Sequence, residues 1–344
     1  MRSTIFKACA ALSLAAALLT AAACSQGGAT HPGGATDGPG AGGEGMVPTT
    51  VEVMAIKGPS GIGMVKMMDS PPSAADDITF NYRLAGSRPD EVVAALSSGS
   101  VDIAALPTNL AGNLYQKTSG DIRLIALITY ANLFLVEAGT AIEGMSDLVG
   151  KTIHASGQGA NPQYILEYLL QEAGLAPGTD VAIEWHTEMS ELAALLASGQ
   201  IDIALMPEPF VSTVLAKNSQ ARAALDLNGL WKEATGYPPV MTAVVARTDF
   251  AEGNSTAVSL FLDGLGQSIA WVQANPADAA ALCVAHDIMA DASIAQAAIP
   301  RSGLVFIEGN DMKAPLISYF SILEAANPAS IGGSLPDDAF FYQR

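Results

Sequence analysis

The sequence predicts a two-lobed α/β protein, each lobe a mixed, mostly parallel sheet flanked by helices, with two strands crossing between the lobes. Three observations carry this expectation. The body from Met46 to Arg344 is too long for one small domain and suits two lobes of ~100–150 residues. The chain is 50% hydrophobic, enough for two cores. An internal duplication aligns Glu91–Pro107 with Glu191–Pro207 without a gap, pairing Glu91 with Glu191, Leu96 with Leu196, Gly99 with Gly199, Asp102 with Asp202 and Pro107 with Pro207. It occurs twice, so it is one supersecondary unit used once per lobe rather than a solenoid repeat.

The chain begins with Arg2 and Lys7, then runs apolar or small from Ala8 to Ala23. That run is shorter than the ~20 apolar residues of a spanning helix. It fits the apolar region of a secretory signal. The stretch Thr20-Ala21-Ala22-Ala23-Cys24 resembles a bacterial lipobox, with Ala21 where Leu is usual. Residues 1–23 are therefore expected to be a lipoprotein signal, with Cys24 as the lipid anchor on the extracytoplasmic side. Residues 24–45 are mostly Gly, Ala, Ser, Thr and Pro, a composition that buries no core and makes a flexible tether. His31 lies in it with no expected role.

In the body, Val51–Ile56 reads as a first strand, followed by a Gly-rich turn, Lys57–Gly63, into a helix near Met64–Met68. Ile78–Leu84 alternates as a strand does. Each repeat copy then follows the same physics. Glu91–Ser98 and Glu191–Ser198 are helices with an Ala/Leu face, stopped by Gly99 and Gly199, because Gly accepts the left-handed position after a helix. Val101–Leu106 and Ile201–Met206 are nearly all apolar, as strands covered on both faces are. Pro107 and Pro207 open the next helices, where a missing N–H costs least. Between the copies lie a long β-like run, Leu124–Val136, a strand at Lys151–Ala155, a helix from Pro162 to Ala173 and a strand at Val181–Trp185. Pro239–Arg247 is β-like, and from Asp249 onward the chain reads as mainly helical. Crossings are expected within Leu127–Ala138 and Val240–Arg247. Lobe one is then 46–134 plus 246–344, and lobe two 135–245.

The net charge is −18, and removal of the signal takes away two cations and no acid. Spread acids of this kind solvate a surface and do not seek nucleic acid. Cys9 and Cys24 fall in the signal and the anchor, so Cys283 has no partner for an internal disulfide. Its apolar helical surroundings make it a small core hydrophobe.

Ligands of parallel α/β sheets sit beyond the carboxyl ends of the strands. The corners at those ends are therefore the candidate site. Ser60 and Gly61, with Gly63, occupy a strand-to-helix turn whose N–H groups suit an anion; a turn shaped only by its glycines is the alternative. Ser156 and Asn161 mark the equivalent turn of lobe two, where Asn161 can equally cap a helix. Thr108 and Asn109 end one repeat strand, and Glu208 ends the other. Glu208 can meet a cationic ligand group or simply complement a helix dipole. Arg301 is a candidate anion partner. Tyr130, Asn132, Tyr164 and Tyr237 can supply contact faces or core. His154, His186 and His286 show no metal-ligand spacing, so neither a metal nor a cofactor is expected.

The segments Lys57–Lys66, Asp102–Asn109, Asp202–Phe210 and Ala326–Asp338 resemble the type II periplasmic-binding-protein family, in its nitrate, taurine, sulfonate and thiamine-precursor branch. The resemblance spans nearly the whole body. It implies a monomeric receptor that closes on a small polar or anionic organic molecule and delivers it to an ABC permease and its ATPase. Two other readings stay open: a pyrimidine-synthase-like enzyme on the same fold, and a ligand-sensing module of a membrane sensor. No nucleophile–base pair, metal triad or cofactor lysine is visible for the enzyme.

Overall fold

Apolar strands covered on both faces alternate with amphipathic helices along most of the chain. The computed structural model describes residues 49–73, 78–86, 88–139 and 141–344. The signal, Cys24 and the tether lie outside the described residues. In chain order come β1 (Thr49–Ile56), α1 (Pro59–Asp69), β2 (Ile78–Ala85), α2 (Pro89–Ser97), β3 (Ile103–Pro107), α3 (Thr108–Thr118), β4 (Ile122–Tyr130) and β5 (Leu133–Ala138). They are followed by β6 (Thr152–Ser156), α4 (Asn161–Glu172), β7 (Ala182–His186), α5 (Met189–Ala197), β8 (Ile203–Pro207), α6 (Phe210–Lys217), β9 (Ala221–Asp226), α7 (Leu227–Thr235) and β10 (Val240–Arg247). The last part holds α8 (Thr248–Gly253), α9 (Ser255–Ala274), α10 (Pro276–Ala285), α11 (Ala292–Ala298), β11 (Leu304–Ile307) and α12 (Lys313–Ala326).

Two mixed sheets result. The first has the order β2-β1-β3-β10-β4-β11 and the second β7-β6-β8-β5-β9. In the first, β1 is parallel to β2 and β3, while β10 runs antiparallel to β3 and β4. In the second, β6 is parallel to β7 and β8, while β5 runs antiparallel to β8 and β9. The chain passes from the first sheet to the second between β4 and β5, and returns between α7 and β10.

The duplication is visible in atomic detail. Gly99 has φ +69° and Gly199 φ +71°, the left-handed conformation that ends each helix. Behind them, Ser98 and Ser198 donate their N–H to Ala94 and Ala194, each at 3.0 Å. In β3, Ile103 and Ala105 enter one apolar cluster, while Ala104 and Leu106 enter another, because side chains alternate across a strand. The cluster on the Leu106 side is continuous with the core around Trp231 of α7, which meets Tyr319 of α12 edge-on at 5.5 Å.

Three local expectations change. The run 124–136 is two strands in different sheets, broken at Ala131–Asn132. Helix α1 starts at Pro59, so Ser60, Gly61 and Gly63 lie within it rather than in a turn. The C-terminal region contributes an edge strand, β11, beside β4. Cys283 is fully buried, and burial pushes its thiol up to about 12. Among the described residues, no helix is long and apolar enough to cross a membrane.

Candidate functional site

Four strand-to-helix corners meet at one cavity of about 420 Å³. They are β1–α1 and β3–α3 from the first sheet, and β6–α4 and β8–α6 from the second. Each lies at the carboxyl end of a strand, where loops of parallel sheets gather. A larger hollow of about 570 Å³ lies elsewhere, around Gly99, Asp121 and Arg247. That hollow is walled by first-sheet elements alone, and its Arg247 is already paired with Asp102 and Asp249. The cavity shared by both sheets is therefore the better site.

Its corners have a common chemical property. The residues in the N-cap positions are Gly58, Pro107, Ala160 and Pro209, and none makes a side-chain capping bond. Gly, Pro and Ala have no side-chain acceptor. The first turns of α1, α3 and α4 thus keep N–H groups without a side-chain partner, that of α6 gives its Ser212 N–H to Glu208, and the positive ends of four helix dipoles border one space.

The cavity wall includes Ser60, Asn109, Asn161 and Glu208 of the residues singled out from sequence. Ser60 donates its hydroxyl to the Ile56 carbonyl at 2.8 Å, so only its oxygen lone pairs face outward for use. Asn161 is 3% exposed, and its Oδ1 has no hydrogen-bond partner. Its amide can present either end to a ligand.

Gly61, Thr108 and Ser156 lie outside this wall. A Cβ on Gly61 would come 3.2 Å from the Ile56 carbonyl and 3.3 Å from Ile288, so the glycine allows close packing of α1. Thr108 is 1% exposed and donates its hydroxyl to Val240 O at 2.8 Å, stitching α3 to β10. Ser156 closes β6, nearly buried.

Glu208 is fully occupied. Arg301 Nε donates to Glu208 Oε1 at 2.6 Å, and Arg301 Nη2 donates to Ser212 Oγ at 2.9 Å. Ser212 donates to the same carboxylate through its N–H and its hydroxyl, both at 3.0 Å. Arg301 is therefore committed to Glu208 and does not wait for a ligand anion. The pair joins the β8–α6 corner of the second sheet to the segment leading into β11 of the first.

Sequence reasoning passed over Lys57, Thr129, Met241, Thr242 and Phe210, all in the wall. Thr129 and Thr242 share a hydroxyl hydrogen bond of 2.6 Å across β4 and β10. Lys57 is held by Asp287 at 2.6 Å, but the Asp287 side chain is 90% exposed. Such a surface pair constrains the ammonium weakly. Asn132, at the passage from β4 to β5, lines the cavity and bonds to the Glu208 backbone. Tyr164 is core, bonded to Asn327, and Tyr237 is exposed.

Two sheets of matching strand order, offering their carboxyl ends to one cavity, define a periplasmic-binding-protein fold. Residues 73–282, more than half the chain, match the family described as ABC transporter, phosphonate, periplasmic substrate-binding protein, and the chain belongs to that family. It is similar to an ABC transporter from Parabacteroides distasonis, at 25% identity and TM-score 0.75 over 86% of this chain and 99% of that one. It shares its fold with the periplasmic aliphatic sulphonate binding protein of Escherichia coli, at 17% identity and TM-score 0.68 over 86% of this chain and 93% of that one. The fold is also that of the alkanesulfonate-binding protein of Xanthomonas axonopodis pv. citri bound to MOPS, at 15% identity and TM-score 0.59 over 84% of this chain and 95% of that one. No curated protein sequence matches the chain. The family and fold are those of extracytoplasmic substrate-binding proteins rather than enzymes. The resemblance read from the sequence therefore holds.

Proposed function

We propose that this protein captures a small organic anion with a phosphonate or sulfonate head in the cavity between its two sheets and hands it to an ABC permease. The observation that carries this reading is the convergence of four helix N-termini on one space, those of α1, α3 and α4 with no side-chain cap. Tetrahedral oxyanions suit such termini because several N–H groups can share one charge without a buried counter-ion. Asn109 and Asn161 add amide donors. Lys57 supplies the cation that can leave Asp287 for the ligand. The apolar wall from Ile56, Leu106, Leu110, Phe210 and Met241 suits an alkyl or aryl substituent. The family's phosphonate description and the two sulfonate-binding structures support the same head-group chemistry.

The lobes in this reading follow the two sheets, which moves the expected boundaries to 46–130 plus 240–344 and 133–235, because β10 pairs along its whole length in the first sheet; they hinge about the two passages between the sheets. Cys24 anchors the mature monomer by lipid, and the 24–45 tether lets it reach its permease. Calorimetric titration with matched alkylphosphonates, alkanesulfonates, carboxylates and amines tests the head group. Submillimolar binding by the phosphonate or sulfonate members is expected. Preference for an amine or a neutral analogue would overturn the anion reading.

A further inference from the structure

Outside the cavity, parallel pairing of β6 with β7 sets His154 opposite Glu184 and Ser156 opposite His186. Side chains alternate along a strand, so His154, Glu184 and His186 share one face. His154 Nδ1 lies 3.0 Å from His186 Nε2 and 3.6 Å from Glu184 Oε2. One ligand atom from each of the three residues falls within 4.8 Å of the others. A tetrahedral centre with bonds near 2.0–2.1 Å separates its ligand atoms by about 3.3 Å, and the observed spacings bracket that value.

We propose that His154, Glu184 and His186 bind one divalent transition-metal ion, Zn²⁺ above all, at the edge of the second sheet. Two imidazoles and a carboxylate form a donor set for borderline cations and discriminate against Mg²⁺ and Ca²⁺, which take oxygen ligands. The His154 side chain is 16% exposed and holds the inner position, while the Glu184 side chain is 62% exposed and opens the route for the ion. Three protein ligands leave the fourth position to water. Because β7 is an edge strand, the ion ties it to β6 by bonds that the backbone ladder alone does not provide. The site shares no residue with the cavity wall, so it stands or falls separately from the anion reading.

The test is titration of chelator-treated mature protein with ZnCl₂, read by calorimetry and by histidine NMR. One equivalent should bind, with the imidazole signals of His154 and His186 moving and those of His31 and His286 unmoved. H154Q and H186Q should each weaken binding at least about tenfold, and H286Q should not. Free Zn²⁺ at a hundredfold above Kd should raise Tm by about 4 °C, and Mg²⁺ should not. Absence of saturable zinc binding, or signals moving only at His31 or His286, would show that the contact is a plain His–His hydrogen bond and overturn the proposal. If a variant fails to fold, the wild-type NMR titration decides alone.

Discussion

Arg301→Ala cuts the contact that joins the two sheets beside the cavity. It removes two hydrogen bonds, to Glu208 at 2.6 Å and to Ser212 at 2.9 Å. It leaves a carboxylate whose side chain has 0% exposure without its cation. Breaking a fully buried ion pair by removing one partner costs about 3–5 kcal/mol. Two features reduce the figure here. The Arg301 side chain is 36% exposed, so water compensates part of the loss, and Ser212 keeps both of its bonds to Glu208. A loss of about 2 kcal/mol is expected, in line with a hydrogen bond to a charged group. Glu208→Gln in the Arg301→Ala background should then cost little more, because no charge remains to be stranded. Urea unfolding of wild type, both single variants and the double variant gives the coupling energy, expected at ~1–2 kcal/mol. A coupling below about 0.5 kcal/mol, no larger than that of distant independent sites, would refute the view that this contact holds the sheets together.

Asn161→Ala and Asn109→Ala should each weaken anion binding by roughly ten- to a hundredfold, equivalent to ~1–3 kcal/mol, with melting temperature little changed; normal titration curves for both would remove the amides from the site. Thr108→Val should do the reverse, losing ~1–2 kcal/mol of stability with its bond to Val240 while leaving affinity alone. Cys283 should resist thiol reagents at pH 8 in the folded Cys24→Ala protein, since a thiol raised to about 12 by burial has almost no thiolate there, and should react once urea unfolds the chain; labelling at the rate of a free thiol would contradict its burial. The same Cys24→Ala change should abolish partition into detergent, and equal partition would exclude a lipid anchor at that residue.

What could be read without coordinates was local grammar. A helix ended by Gly99 or Gly199, a short apolar strand and a proline at its exit are each decided within a few residues, so both copies of the repeat were legible. The corner residues Asn109 and Asn161 followed from the same grammar, because strand ends of parallel sheets are where side chains meet ligand. The exact start of α1 was not legible. Gly61 and Gly63 look like turn residues until the segment after α10 and helix α9 are placed against them, where added Cβ atoms would crowd Ile288 and Ile269. The break at Ala131–Asn132 carries no Gly or Pro to signal it. Arg301 and Glu208 are 93 residues apart, and His154 and His186 are 32 apart, so each meeting depends on pairing or packing that no short window contains. Thr129 and Thr242 were hidden for the same reason, lying in separate strands that only the sheet brings together.

The matching strand orders have a consequence for how the chain can fold. Strands β1 to β4 build the first sheet, yet β5, which follows them, lies in the interior of the second, between β8 and β9. Strands β6 to β9 build the second sheet, and β10, which follows them, fills the interior of the first, between β3 and β4. Strands β5 and β10 are therefore exchanged between the two sheets, in the manner of a domain-swapped dimer whose two copies have been fused, and β11 then adds to the edge of the first sheet. A half expressed alone would lack the strand that bridges its own sheet and would carry an unpartnered strand of its own. Neither half contains a complete sheet of its own, and the two exchanged strands tie the two sheets into one assembly.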